Sequence, residues 1–178
     1  AVLKDCDIPA HVESNTGYFS SYEIQVILSM LRILDNPLQD IPMAAVLASP
    51  IVGMDDEELA QIRSAFKGVS FAQAALSAMA GEDGYEDEKL KAFALVFERL
   101  RGAVADTPIH ELLYMMLDET GFYRYASAMP AGKRRRQNID MLIEMAAAYE
   151  KTSYKGLFHF VRYIDIQQKY EIDYGEAD

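Results

Sequence analysis

Residues 23–63 read EIQVILSMLRILDNPLQDIPMAAVLASPIVGMDDEELAQIR, and the way this stretch is punctuated decides the fold. Ile24, Ile27, Leu28, Leu31 and Leu34 recur at the three-and-four spacing of a helix with one half-buried face. Asn36-Pro37 stops that helix, because proline supplies no amide hydrogen and pushes the residue before it out of helical geometry. Asp40 is placed to cap a second, short helix that tolerates Pro42 in its first turn, and Ser49-Pro50 ends it. Asp55 and Glu58 have the spacing of a capping box for a third helix carrying Leu59, Ile62 and Phe66.

The same pattern continues on either side. Ser20 and Glu23 have capping-box spacing for the first long helix, and Ile8–Val12 is a short extended candidate, too brief to form a sheet alone. Phe71, Ala74, Ala75 and Met79 predict a short helix ending near Gly81, followed by an acidic loop to Asp87. Leu90, Phe93, Ala94, Phe97, Leu100 and Val104 mark an amphipathic helix of about five turns. Thr107-Pro108 opens the next one, with Leu112, Leu113, Met116 and Leu117 inward and Gly121 near its end.

An aromatic patch of Phe122, Tyr123, Tyr125 and Met129 on a short turn or helix precedes the break Pro130-Ala131-Gly132. Ile139, Leu142, Ile143, Ala146 and Tyr149 mark another helix. Ser153 is placed to cap the last, which carries Leu157, Phe158, Val161 and Ile164 and loses its pattern from Tyr170 onward. The expectation is an all-α fold: an irregular bundle of about eight helices with little or no strand and no fixed-period repeat.

Composition narrows the function classes. A chain of 178 residues, about half of them apolar, is one domain with a substantial core. It has no apolar run long enough to span a bilayer and no signal-peptide pattern, so no membrane partner is expected. The single cysteine, Cys6, excludes an internal disulfide framework and fits a reducing, cytoplasmic setting. The chain begins at Ala1 without methionine and ends in an acidic tail, as a segment of a longer protein does. The net charge of −11 argues against a general nucleic-acid coat, since affinity for phosphate comes mainly from Lys and Arg. Acid collects at 55–58, at 82–88 and in the last eight residues, while base collects at Lys133, Arg134, Arg135 and Arg136.

Several segments, taken in order, carry a resemblance: TGYF at 16–19, MLRILDNP, DIP, VLASPIVGM and EELAQIR within 30–63, DETGFYRY at 118–125, GKRRRQNIDML at 132–142 and YKGLFHFVRYI at 154–164. Together they resemble the UvrD-like, superfamily 1A DNA helicases, and among these the A-subunit type of the AddAB (RexAB) helicase–nucleases. The resemblance implies that residues 1–178 form a helical 2B-type insertion within the second motor domain. Residues 1–15 and 170–178 would then be its connecting ends, with both termini on one side. It further implies a parent enzyme that uses ATP and Mg to unwind and degrade duplex DNA ends in double-strand break repair and recombination. The implied partners are duplex DNA, the motor domains of the same chain and a B-type subunit. In this family Arg135-Arg136-Gln137-Asn138 falls where an Arg-x-x-Asn begins a helix. Smaller members hold a Gly-Ile-Gly turn near duplex backbone where this chain has Val52-Gly53-Met54-Asp55, so the second glycine is replaced and acids follow.

The motifs of the motor itself are not in this chain, so neither ATPase nor nuclease activity is expected of it, and no cofactor. Ala131-Gly132-Lys133-Arg134 is the nearest approach to a phosphate-cradling loop, but Ser127 stands where the first glycine belongs and Arg134 where the metal-binding hydroxyl belongs. Asp55–Glu58 opens a helix rather than ending a strand, and acid in a first turn is explained by the helix dipole. His11, His110, His159 and Cys6 have no short-spaced partner, so no metal site is expected. Lys133, Arg134, Arg135 and Arg136 remain as candidate phosphate contacts at a helix start, against the plainer reading of a solvated basic turn. Tyr18, Phe19, Phe122, Tyr123, Tyr125, Phe158 and Phe160 are candidates for stacking on bases, against the plainer reading of core residues. A helical module that docks a protein partner through its acidic faces is the competing class.

Overall fold

The computed structural model describes residues 17–152 and 156–175. Among them are nine α-helices and no strand: α1 (Tyr22–Asp35), α2 (Asp40–Ala48), α3 (Asp56–Ala65), α4 (Phe71–Met79), α5 (Glu88–Ala103), α6 (Ile109–Thr120), α7 (Phe122–Ala128), α8 (Gly132–Tyr149) and α9 (Leu157–Gly175). The all-α expectation holds, with one helix more than eight because the aromatic patch after Gly121 folds as α7. A single 3₁₀ turn at Glu82–Gly84 occupies the expected acidic loop. The extended candidate at 8–12, His11, Cys6 and the Ser153 cap lie outside the described residues, as do both termini. From Tyr170 the chain stays helical as far as Gly175, beyond the point where the apolar pattern fades.

The core is built around α1. Its expected face is buried, but so are Val26, Met30 and Ile33 on its other sides. A helix buried on nearly every side belongs inside a bundle. α2, α5, α8 and α9 all pack on α1, which accounts for the difference from a half-buried helix. α2 contributes Met43, Val46 and Leu47, α5 Leu90, Phe93, Phe97 and Leu100, and α6 Leu112, Leu113, Met116 and Leu117. The buried positions of α4 are all alanine, at 72, 74, 75 and 78, which lets its backbone approach its neighbours closely.

Local capping is met at three helices. The Asp55–Glu58 box forms in full at α3, as does one between Ser70 and Gln73 at α4, and Asp87 caps α5. Two expected caps are redirected by tertiary contacts. Asp40 does not cap α2; its carboxylate accepts the Ala72 amide at the start of α4, 2.9 Å away. The Ser20–Glu23 box does not form either. Ser20 donates to the Gly17 carbonyl, the helix begins at Tyr22, and the Glu23 carboxylate turns to α8. At the start of α6, whose preceding residue is Pro108, the Glu150 carboxylate accepts from the Ile109 amide and meets His110. Ion pairs tie neighbouring helices together: Arg32 to Asp165, Lys89 to Glu58 and Arg99 to Glu119.

Candidate nucleic-acid interface

The site is the turn between α7 and α8, together with the start of α1. Gly121, at φ 65°, ends α6 in the left-handed conformation and α7 follows at once. Met129 is extended before Pro130, Ala131 takes φ 59°, and α8 begins at Gly132. The order Ala-Gly is the reverse of what turn chemistry favours, because glycine adopts positive φ more readily than alanine. The close approach of α7 explains it: a Cβ on Gly132 would lie 2.7 Å from the Ser127 carbonyl carbon and closer still to its oxygen. Glycine stands at 132 because no side chain fits, and Ala131 carries the strained torsion. This, rather than a phosphate cradle, accounts for the Ala131-Gly132-Lys133 sequence.

The four cations of the run divide into two kinds. Lys133, Arg134 and Arg136 are exposed and have no ion pair among the described residues. Arg135 turns inward. Its Nε donates to the Pro130 carbonyl at 3.0 Å and its guanidinium to Glu23 at 2.5 Å. Asn138, one turn on and therefore on the same face, donates its amide to the other Glu23 oxygen at 2.6 Å, and its own carbonyl accepts the Tyr18 hydroxyl at 2.9 Å. The Arg-x-x-Asn spacing is thus a two-pronged clamp on an internal carboxylate. Glu23 is 1% exposed. Burial pushes its carboxyl up, but the Asn138 amide, its own backbone and Arg135 outweigh this and hold it below the ordinary value. A buried charge held this way fixes α8 to α1 and so sets the direction in which Lys133, Arg134 and Arg136 project.

Cations at this place work against the helix. The N-terminal end of a helix carries partial positive charge, and acid is the stabilising choice there. α8 has no acidic residue in its first turn, whereas α3 has three. Between Gly121 and Ile139 the sequence holds Arg124, Lys133, Arg134, Arg135 and Arg136 and no aspartate or glutamate, in a chain of 28 acids and 17 bases.

The other candidates sort themselves. Tyr18, Phe19, Phe122 and Phe160 are core residues. Tyr123 is part-buried, with its hydroxyl on Asp140 at 3.1 Å. Tyr125 and Phe158 are exposed. Tyr22, which no pattern in the sequence singles out, is exposed. Burial and the Tyr125 hydroxyl raise its phenol above the ordinary value, while Arg135 pulls it the other way. In the Ser49–Met54 turn the Gly53 and Met54 amides are taken by the Ser49 and Leu47 carbonyls, and Lys89 closes over Gly53 and Glu58, so no free donor faces outward from these groups. A shallow cavity of about 250 Å³ between α6, α7 and α8 is lined by Tyr114, Asp118, Tyr123, Arg124 and Asp140. Among the described residues no group of three or more His, Cys, Asp or Glu is placed to hold a metal, and no helix is long and apolar enough to cross a membrane.

Comparison with known proteins gives the chain its place. No family model matches it. It is 42% identical over 173 residues to the ATP-dependent helicase/nuclease A subunit of Anoxybacillus flavithermus, which covers 96% of this chain and 14% of that protein. It is 38% identical over 177 residues to the protein of the same name from Bacillus velezensis, covering 98% of this chain and 14% of that protein. It is 39% identical over 180 residues to that of Enterococcus faecalis, again covering 98% and 14%. The chain therefore spans about one seventh of the length of the curated relatives it matches. With identity of this order along nearly its whole length, it belongs to the family of ATP-dependent helicase/nuclease A subunits, as a segment of that much longer sequence.

Proposed function

We propose that this chain is the helical, 2B-type accessory segment of a helicase/nuclease subunit, and that it guides duplex DNA past the motor with the exposed cations at the start of α8. The parent protein would unwind and degrade DNA ends with ATP and Mg, in double-strand break repair and recombination, beside a B-type partner subunit. The supporting observation is the set of three outward, unpaired cations, Lys133, Arg134 and Arg136, in an acid-free stretch of an acidic chain. They sit where they cost the helix stability, and a local rule broken without structural gain marks a functional position. Arg135 takes the positioning role, holding α8 through Glu23.

The test is charge reversal in the full subunit. Arg134→Glu with Arg136→Glu should weaken binding to a duplex end. It should also reduce the salt dependence by about 0.9 in log–log slope for each phosphate that is no longer neutralised. Unchanged affinity and slope would remove the DNA role. Arg135 is left intact, because reversing it would also break the Glu23 pair.

A second reading has its own observation. Leu38, two residues before α2, and Ile41 in its first turn are 55% and 84% exposed. Such a surface suits docking on the motor domains or the partner subunit without DNA contact. Binding of the isolated chain to the partner subunit, with none to duplex DNA at low salt, would favour it.

A further inference from the structure

The last helix, α9, has two opposite faces. On the inner one Leu157, Phe160 and Ile164 are buried, with the Phe160 ring centroid 5.4 Å from that of Tyr149 on α8. Asp165 and Gln168 hold Arg32 of α1. Two residues along a helix is a rotation of about 200°, so Phe158, Arg162 and Ile166 lie opposite Phe160 and Ile164. With Tyr170 they follow at four-residue intervals and form one outward ridge about 18 Å long. Phe158, Ile166 and Tyr170 are 51%, 49% and 55% exposed. The Arg162 guanidinium lies over the Phe158 ring, 5.7 Å from its centroid. Neither Arg162 nor Lys169, which is exposed beside the ridge, has an ion pair among the described residues. Asp165 borders the face, but its carboxylate is taken by Arg32. The exposed positions from 157 to 170 hold no aspartate or glutamate, in a chain of net charge −11.

We propose that this ridge docks the chain on the remainder of its own subunit, against a helix whose facing side is apolar and acidic. The inference rests on the family to which the chain belongs and not on the DNA-guiding role. A row of side chains four residues apart is what one helix lays into the groove of another. Charge selects the occupant. Arg162 and Lys169 call for carboxylates, and a second copy meeting ridge to ridge about a twofold axis would set cation on cation. Area selects its source. Half-exposed Phe158, Ile166 and Tyr170, with the stems of the two cations, offer roughly 300 Å². That falls short of the ~800 Å² each partner gives to a freely associating complex. It reaches the about 300 Å² a side of the smaller interfaces between domains of one chain, where covalent linkage keeps the effective concentration high. The chain is about one seventh of the length of its relatives, so the subunit has such a surface to offer. Nucleic acid is the poorer fit, because Ile166 within the ridge neither stacks on a base nor pairs with phosphate.

The experiment places a thiol on the ridge as Ile166→Cys and follows maleimide labelling of that position by peptide mass spectrometry, in the 178-residue chain and in the full subunit. With no DNA and no other subunit present, the thiol should label about tenfold more slowly, or slower still, in the full subunit, because the linked surface covers it. Adding Arg162→Glu and Lys169→Glu should restore the rate of the free chain, since acid then faces acid. Circular dichroism on each variant confirms that the helices are intact. Equal rates in the chain and in the full subunit would overturn the inference. So would protection that arises only on adding duplex or single-stranded DNA, only on adding the partner subunit, or on concentrating the isolated chain. Protection that survives the charge reversal would overturn it as well, because the occupant would not be acidic. Duplex affinity of the Arg134→Glu, Arg136→Glu variant is read separately, so the docking face and the DNA-guiding role can each fail without the other.

Discussion

At the scale of single residues, the molecule turns on Glu23 and Gly132. Removing the Glu23 carboxylate leaves Arg135 with no counter-charge in a part-buried place, and breaking a buried pair from one side costs about 3 kcal/mol. Glu23→Ala should therefore lower the melting temperature by roughly 6–12 °C for a domain of this size. The pair also sets an acid limit. The carboxyl is held below its ordinary value, so its contribution is complete above the ordinary value of 4.5 and is lost as pH falls through its lower native value. Acid titration of stability should be shallower in Glu23→Gln than in the parent chain. Gly132→Ala should destabilise by about 1–3 kcal/mol, although alanine is the better helix former, because the new methyl meets the Ser127 backbone. Ala131→Gly should be neutral or stabilising by up to about 1 kcal/mol, since it relieves a positive φ. Thermal melts of the two variants shifting the same way would contradict this account of the turn.

At the scale of elements, the start of α8 sets stability against binding. Replacing Lys133 and Arg134 by glutamate puts acid where the helix end favours it, at about 0.3–1 kcal/mol for each charge. The double variant should melt a few degrees higher than the parent. If the proposed role holds, it should bind DNA more weakly. A lower melting point would mean that these side chains hold the fold rather than a ligand.

The helices themselves were largely legible in the sequence, because proline breaks, glycine ends and the Asp55–Glu58 box depend on residues three or four apart. What could not be read was where a polar side chain leaves its own turn for another element. Asp40 and Glu23 both have local capping positions, and both are drawn to donors far along the chain, Ala72 in one case and Arg135 with Asn138 in the other. The basic run was visible as composition, but its division into one inward and three outward cations was not, since that depends on α1.

At the scale of the whole molecule, the chain is a helical bundle matched to about one seventh of much longer helicase/nuclease sequences. If it is an accessory to the motor, the purified chain should show no ATP turnover, with or without DNA, while the full subunit should. DNA-stimulated hydrolysis by the chain alone would refute that assignment.

The pinning of α1 at both its ends has a mechanical consequence. Glu23 fastens its first turn to α8, and Arg32 near its last turn reaches Asp165 and Gln168 on α9. Any tug on the basic turn is therefore delivered straight into the central rod rather than absorbed by a slack loop. The basic turn and the bundle interior are thereby joined through two polar anchors, one at each end of the same helix.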